Sequence, residues 1–521
     1  MNEHTPNTPW AYNQHQDSFV QRARKLSIEL SHQRQREPSR SYEFIYPAPV
    51  SDDRQSGVLP AIFNLCSTVL GGGILSLPYT FAKLGWGLGL IVLVGVALAS
   101  DFALYILCSC SRRSGTINYV EVAKHAFGEA GGYFVTMMLS IFILFIVVAY
   151  QVLLRDIASG IVEFFIGYDL DMQGKTHVLI VCIAILSPLC FFNSLYSLRY
   201  TCYLGFAAVC LLTASLVYSA TELNMQHPNL FNEHAMTATT SITDILYVLP
   251  ILAVSYVCQF NMLSVHSKLK HPTRQRMRST IHGAIGIATV IYALGATAGY
   301  LYGYEHTNDN IFNNFAPSDR LLLVGRMGLF VTLMCAMPMM VLPCRENSLL
   351  LLEDLIAMIR YCATSKQERE VLLERASFSS QSSTASDRHV LTPSMLLEQN
   401  SEELEQQDGY HVLQDAGPQA GPMNCEKVAG LAQHVVSTVT IVLVALYLAV
   451  CIPGVAVVWS IAGSTLGLII SFFLPAACYL KIRWKKKRSK VKQGAAAMMV
   501  VSAVLIVFCS YQSISHALAG G

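Results

Sequence analysis

The chain has 521 residues, of which 53% are hydrophobic and 13% are charged. Soluble domains carry roughly a quarter charged residues, so this composition excludes an ordinary soluble enzyme and indicates a protein that crosses a membrane many times. The formal net charge of +2 gives no reason to expect a nucleic-acid partner.

Runs of mostly apolar residues are long enough to cross the bilayer as helices, which takes about 20 residues each. In chain order they cover residues 57–81, 84–110, 132–164, 176–195, 199–220, 242–264, 281–304, 320–344, 431–451, 454–480 and 495–517. They predict an all-α integral membrane protein with about 11 transmembrane helices in contact with the lipid bilayer.

Lysine and arginine predict the orientation, because these residues are retained on the cytosolic side of a membrane. Basic clusters precede the first span and recur in alternate loops, ending with KIRWKKKRSKVK at 481–492. The loops 221–241 and 304–319 contain neither residue. An odd number of spans with a cytosolic N-terminus places every basic cluster on one side.

Two polar segments lie outside the predicted spans. Residues 1–56 are expected to form a disordered cytosolic arm, and residues 346–428 a long cytosolic loop rich in serine and glutamate. Transmembrane helices 1–8 then occupy 57–345, and helices 9–11 occupy 429–521. The cytosolic partners of the arm and the loop are not defined by the sequence.

A short amphipathic stretch, INYVEVAKHAFGEAGG at 117–132, separates the second and third spans. It predicts a cytosolic helix that lies at the membrane interface.

The first span contains STVLGGGILSLPY at 67–79, where three glycines and a proline interrupt a helix. Each glycine costs a helix interior roughly 1 kcal/mol and proline about 3 kcal/mol. Close helix packing favours small residues about four positions apart, so three in a row favour a broken helix over a packing motif. Secondary transporters use such breaks to bind an anionic group through free amides.

The sixth span, 242–264, is the expected counterpart in an inverted repeat, because both halves of such a transporter carry a discontinuous helix. It contains Pro250 and a polar Ser255-Tyr256 pair, but no glycine. These residues are compatible with a second break and with an ordinary proline kink.

Three stretches resemble the amino acid/auxin permease family, which includes sodium-coupled neutral amino acid transporters and vacuolar amino acid permeases. FNLCSTVLGGGILSLPYTFAKLGW is similar to its first span, VLPILAVSYVCQFNMLSVHSKLKHPTRQRM to its sixth, and MPMMVLPCRENSLL to the end of its eighth. The resemblance covers roughly 57–345 well and 430–515 loosely. It implies the LeuT-type 5+5 inverted repeat plus one extra helix, and a secondary active transporter that moves amino acids by alternating access.

The resemblance also implies a binding site for an amino acid substrate. Free amides around the three glycines would bind the α-carboxylate, two hydroxyl residues before the break would line the same pocket, and two residues of span six would bind the α-amino group. The implied residues are Gly71, Gly72 and Gly73, then Ser67 and Thr68, then Ser255 and Tyr256.

The coupling ion is where the sequence departs from the sodium-coupled relatives. They have asparagine at the position of Ser67 and threonine at the position of Ala336, whose methyl group supplies no oxygen to a sodium ion. The carbonyls of Cys66 and Val69 are the remaining candidate ligands. The sequence therefore favours H+ over Na+ without excluding sodium or uniport, and no other cofactor or metal is expected.

Charged residues inside the spans are candidates for a proton relay. Asp101 is the only carboxylate deep in an apolar run, and relay and structural hydrogen bonding are equal alternatives for it. Arg326 is expected to make an ion pair or carbonyl contact or to act in transport. Arg155 and Asp156 are expected at the membrane interface.

Two short motifs bear on the compartment. EREVLL at 368–373 and YEFI at 42–45 have the forms of endolysosomal sorting signals, but both arise often by chance. The sequence leaves the plasma membrane and a vacuolar or lysosomal membrane open.

The alternative function is an amino-acid sensor that signals through 1–56 and 346–428. No H-E-x-x-H, G-x-S-x-G or P-loop pattern supports an enzyme.

Overall fold

The computed structural model describes residues 54, 56–191, 201–315, 320–363, 425–485 and 489–519. The first helices are α1 (Val58–Val69), α2 (Gly72–Leu84), α3 (Trp86–Ser114), α4 (Tyr119–Phe127), α5 (Glu129–Ile166), α6 (Met172–Cys190), α7 (Thr201–Gln226) and α8 (Leu230–His234). They are followed by α9 (Ile242–Ser255), α10 (Gln259–Lys268), α11 (Arg274–Gly303), α12 (Arg320–Ala363), α13 (Cys425–Cys451), α14 (Val455–Ile482) and α15 (Lys490–Ala519).

Ten helical segments in this described part are long and apolar enough to cross a membrane, and the bent pair α1–α2 brings the number to 11. The all-α prediction with about 11 transmembrane helices is confirmed, and the chain is a multi-pass membrane protein. Span one is α1 with α2, span six is α9 with α10, spans two to five are α3, α5, α6 and α7, and spans seven to eleven are α11 to α15. The two interrupted spans lie five spans apart, as an inverted repeat requires.

Span eight is longer than the sequence predicted. The helix α12 continues to Ala363, well into the segment expected to be a loop. The stretch LLLLEDLIAMIRY at 349–361 is rich in strong helix formers, which explains the extension. The sorting motifs at 42–45 and 368–373 lie outside the described residues, so their role stays a prediction.

The amphipathic stretch after span two forms the predicted helix, α4, but its apolar face packs on protein. Tyr119, Val122, Ala123 and Ala126 share one face and are buried. The Tyr119 hydroxyl donates to the carbonyl of Ile470 at 2.7 Å. This helix therefore contacts span ten through its buried face.

Span ten approaches span six closely and contains two π-helical turns, at 463–467 and 469–473. A Cβ on Gly463 would lie 2.5 Å from the carbonyl oxygen of Pro250, so only glycine fits this contact. The Ile470 carbonyl accepts from the Tyr119 hydroxyl, and the Ser471 carbonyl accepts from Gln259 Nε2 at 3.4 Å. Since π turns occur often at functional sites, these two turns indicate a functional site beside the broken span six.

The start of span one is fixed to the end of span six. Arg54 donates to the carbonyls of His266 and Leu269, both at 3.0 Å, and the backbone of Ser56 pairs with the residues on either side of Leu269. Burial, and then the neighbouring Arg112 guanidinium, lower the pKa of Arg54. These hydrogen bonds join the segment before α1 to the end of α10.

Candidate functional site

The break in span one exposes backbone donors. The helix α1 ends at Val69, and α2 leaves it at an angle of 48°. The Gly71 amide donates to the Val69 carbonyl at 2.9 Å, whereas the amides of Gly72 and Gly73 donate to no acceptor among the described residues. These two amides form the N-terminus of α2, where a helix carries partial positive charge.

The break in span six exposes backbone acceptors. The helix α9 ends at Ser255 and α10 begins at Gln259, so the interruption lies beyond Pro250, which is accommodated inside α9. Within the described ranges, the carbonyls of Tyr256 and Val257 accept no hydrogen bond. They lie at the C-terminus of α9, which carries partial negative charge.

The two breaks touch each other. A Cβ built on Gly73 would lie 2.9 Å from Ser255 Oγ and 3.5 Å from Ser255 Cα. The Ser255 hydroxyl donates to the Ile251 carbonyl of its own helix at 3.0 Å. Free donors on one broken helix and free acceptors on the other therefore meet at one place, an arrangement that complements a zwitterion.

Tyr292 of span seven bridges the two breaks and was not identified from the sequence. Its fully buried hydroxyl donates to the Ser255 carbonyl at 3.0 Å and contacts the Val69 carbonyl. The available signal was a single tyrosine in the apolar run TVIYALGATAG. This side chain holds the ends of α1 and α9 at a fixed separation.

Both carbonyls that the sequence offered as ion ligands are engaged by protein donors. The Cys66 carbonyl accepts from the Leu70 amide at 2.8 Å. The Val69 carbonyl accepts from Gly71 and contacts Tyr292. An ion at the Val69 carbonyl would therefore compete with two protein donors, and an ion at the Cys66 carbonyl would share it with one.

Tyr150 of span three forms a third wall beside the glycines and was also missed. Its hydroxyl lies 3.7 Å from the position that a Cβ on Gly71 would occupy. Its ring lies 3.7 Å from the position of a Cβ on Gly72. Leu153, one turn later, would meet a Cβ on Gly72 at 2.6 Å. Tyr150 and Gln151 interrupt an otherwise apolar run, which is the signal that could have identified this face.

The hydroxyl residues before the break serve local contacts in this structure. Ser67 donates to the Phe63 carbonyl at 2.8 Å. Thr68 donates to the Asn64 carbonyl at 3.0 Å and accepts from Asn261 Nδ2 at 2.7 Å. Thr68 therefore links α1 to α10, and lining of the pocket by Ser67 and Thr68 stays a prediction.

The side chain of Tyr256 points away from the break. Its hydroxyl donates to Thr289 Oγ1 of span seven at 3.0 Å, and its ring packs edge-on against Tyr292. Only the backbone carbonyl of Tyr256 remains available for the role implied by the family resemblance.

Asp101 pairs with a histidine that the sequence analysis did not select. Asp101 Oδ1 lies 2.6 Å from His282 Nδ1, which joins span two to span seven. One turn away along both helices, the guanidinium carbon of Arg278 lies 4.8 Å from the centre of the Tyr105 ring. Among the described residues, Asp101 makes no hydrogen bond to Cys66 or Val69. His282 is on the same helix as Tyr292, roughly 15 Å away along its axis.

Arg155 and Asp156, expected at the membrane interface, have their charged groups held inside the protein, against the end of span nine and the loop after span seven, and their depth in the membrane stays a prediction. Arg155 is 2% exposed, and its guanidinium donates to the carbonyls of Ala449 and Pro453. Asp156 accepts from Arg155 and from Asn310, both at 3.3 Å. The pair therefore connects span three to the loop after span seven.

Arg326 makes the carbonyl contacts that the sequence allowed as one alternative. Its guanidinium donates to the carbonyls of Phe312 at 2.7 Å and Phe315 at 3.1 Å. These bonds and the Asn310–Asp156 bond fix the loop between spans seven and eight against the helices.

Comparison with known proteins identifies a matching family. Residues 54–515 match the sequence model of the family described as "Transmembrane amino acid transporter protein". The chain is 27% identical over 315 residues to amino acid transporter AVT6E of Arabidopsis thaliana, covering 57% of this chain and 64% of that protein. It is 24% identical over 289 residues to putative sodium-coupled neutral amino acid transporter 11 of Rattus norvegicus, covering 55% and 63%.

A third relative is vacuolar amino acid transporter 5 of Schizosaccharomyces pombe, 27% identical over 296 residues, covering 56% of this chain and 69% of that protein. The matches thus span slightly less than two thirds of the first two relatives. Among solved structures, the chain is similar to the nucleobase-cation-symport-1 family transporter MHP1 in a closed conformation (TM-score 0.47, 12% identity, 93% of this chain and 94% of that one). It is also similar to MhsT in complex with L-phenylalanine (TM-score 0.42, 12% identity, 87% and 98%).

Proposed function

This chain belongs to the family of transmembrane amino acid transporter proteins, and on that premise we propose that it carries amino acids across its membrane by alternating access. The observation that supports the proposal is the meeting of the two broken spans, with free amides on one side and free carbonyls on the other. Every amino acid presents a carboxylate and an ammonium group on the same carbon, so one site of this kind suits the whole substrate class.

The backbone can bind both charged groups of the substrate. The amides of Gly72 and Gly73 donate to the α-carboxylate, and the carbonyls of Tyr256 and Val257 accept from the α-ammonium group. Each helix end adds roughly half an elementary charge of the matching sign. Because a buried ion without partners costs several kcal/mol, these preformed groups replace the water that the substrate loses.

Side chains complete the site on two sides. The side chain of Tyr150 lies beside Gly71 and Gly72, next to the amides proposed to bind the carboxylate. Tyr292 does not bind the substrate in this arrangement; it positions the two helix ends whose carbonyls it contacts.

Hydrogen bonds join α1 to α10, the halves of the two broken spans on the predicted cytosolic side. Asn261 on α10 donates to Thr68 on α1, and Arg54 fixes the start of α1 to the end of α10. Opening toward the predicted cytosolic side therefore requires both half-helices to leave the bundle as one unit, hinged at the two breaks.

We also propose proton coupling, with the Asp101–His282 pair as the proton acceptor. The pair is a hydrogen-bonded carboxylate and imidazole between two spans, and each group has a site that can take up a proton. A sodium site would have to compete with the Gly71 amide and the Tyr292 hydroxyl for the Val69 carbonyl, and Ala336 supplies no oxygen. Proton binding at the pair would act on α11, which carries Tyr292.

Uptake into liposomes tests both proposals. The purified full-length protein is reconstituted, and uptake of a mixed pool of labelled amino acids is measured under an inward proton gradient and, separately, under an inward sodium gradient. We expect proton-driven uptake without sodium. Sodium-driven uptake would contradict the coupling proposal alone, and saturable binding without uptake would favour the amino-acid sensor.

Replacing Tyr292 with phenylalanine tests the bridge between the breaks. The variant removes the hydroxyl that contacts the buried carbonyls of Val69 and Ser255, so we expect a loss of about 1–2 kcal/mol in the free energy of unfolding. Because this hydroxyl positions the two helix ends, we also expect a higher KM for uptake. Tyr300→Phe is the matched control, because the Tyr300 hydroxyl accepts from the Met236 amide at 2.8 Å, away from the breaks. It should lose similar stability with an unchanged KM; equal KM values in both variants would contradict the positioning role.

A further inference from the structure

We propose that a basic cleft at the predicted cytosolic ends of spans two and ten binds the headgroup of a phosphorylated inositol lipid. The cleft has a volume of about 570 Å³ and is lined by Arg113, Lys481, Ile482, Trp484 and Lys485. It is separate from the site between the broken spans, so the proposal does not depend on the transport function.

Two helix ends build the cleft. Arg113 lies in the last turn of α3, and the other four residues lie at the end of α14 and in the turn that follows. Lys492 Nζ donates to the carbonyls of Arg483 and Trp484 at 3.3 and 3.1 Å. This contact holds the turn in place, so its side chains face Arg113 from a defined position.

The cleft brings together the positive charges of three side chains. In the described part of the chain, Arg113, Lys481 and Lys485 make no side-chain hydrogen bond or ion pair. Retention of basic residues on the cytosolic side explains why they are on this face, but it does not explain why they converge on one cavity. An anion in the cleft would relieve their mutual repulsion.

Size and charge favour an inositol ring with two phosphate groups. The volume of the cleft lies within the roughly 300–1,000 Å³ that is typical of ligand pockets. Each phosphomonoester carries about −1.5 to −2 charge near neutral pH, and lysine and arginine are the usual residues that bind it. Two such groups can engage three cations from opposite sides of the cleft, which a single carboxylate or phosphodiester cannot.

The apolar residues of the cleft favour a lipid over a soluble anion. Trp484 is 76% exposed, and exposed tryptophan is typical of the membrane–water interface. Ile482 lies on the same cleft. Basic pockets between transmembrane helices on the cytosolic side are a known setting for inositol-lipid headgroups.

Native mass spectrometry of the purified full-length protein with short-chain phosphatidylinositol bisphosphate tests the proposal. The double variant Lys481→Gln/Lys485→Gln should bind this lipid about 30-fold more weakly than the wild type. The control Lys268→Gln/Lys270→Gln removes the same charge from two exposed lysines, one at the end of span six and one just after it, and should bind as the wild type does. Thermal unfolding of both variants checks that each is folded.

Three outcomes would overturn the assignment. Equal loss in the control pair would mean that surface charge alone attracts the lipid. Equal affinity for short-chain phosphatidylserine would contradict an inositol phosphate site. Equal affinity for free inositol trisphosphate would mean that the cleft binds a soluble anion and not a lipid.

Discussion

Gly73→Ala is expected to reduce amino acid uptake to background while the protein still folds. The new methyl group would lie 2.9 Å from Ser255 Oγ and 3.5 Å from Ser255 Cα, in the gap where the two broken spans touch. It therefore pushes the first turn of α2 away from α9 and displaces the amide that is proposed to bind the carboxylate. Uptake in liposomes and thermal unfolding of the purified variant measure the two effects separately.

Matched alanine variants separate this contact from a general effect of glycine replacement. A Cβ on Gly95 of α3 would meet nothing within 4 Å, so Gly95→Ala should transport normally. In Gly73→Ala/Ser255→Ala the nearest atom, Ser255 Oγ, is removed, and we expect part of the uptake to return. Normal uptake by Gly73→Ala alone would show that the two breaks do not form the substrate site.

The break in span one could be predicted from sequence, whereas that in span six could not be distinguished from a kink. Three consecutive glycines are a local signal, because they weaken the helix wherever they occur. Span six is interrupted without glycine, and its unwound backbone is supported by contacts made elsewhere in the chain. Gln259 Oε1 accepts from the Cys258 amide at 3.0 Å, and Tyr292 donates to the Ser255 carbonyl.

Residues of span three and span seven were missed for the same reason. Tyr150 and Tyr292 reach the breaks only because helices distant in sequence pack around them, and neither belongs to a recognisable motif. Asp101 was found because a carboxylate in an apolar run is conspicuous, but His282 lies near the start of span seven, close to the basic loop. The sequence therefore indicates one member of the pair but not its partner.

The contacts that Arg155 and Asp156 make inside the protein could not be predicted from sequence. A charged pair near the end of a long apolar run fits the membrane interface when only sequence is considered. In the structure, free carbonyls at the end of span nine satisfy Arg155, while Asn310 satisfies Asp156. These acceptors and donors come from segments more than a hundred residues away, which no local pattern reveals.

Asp101→Asn is expected to abolish proton-driven accumulation while exchange of labelled for unlabelled amino acid continues. Asparagine keeps the size of the side chain and can still hydrogen bond to His282, but it cannot take up a proton. If the pair couples the proton gradient to transport, the variant should equilibrate substrate without concentrating it. Accumulation under an inward proton gradient and counterflow without a gradient are measured on the same liposomes.

Two further variants make this result specific. Asp169→Asn, an exposed carboxylate in the loop after span three, should accumulate substrate normally. His282→Gln should behave like Asp101→Asn, because each variant removes one member of the hydrogen-bonded pair. Continued proton-driven accumulation by Asp101→Asn would make the pair a structural contact between spans two and seven. Loss of counterflow together with accumulation would show that the pair is needed for the transport movement itself, and would contradict a role confined to coupling.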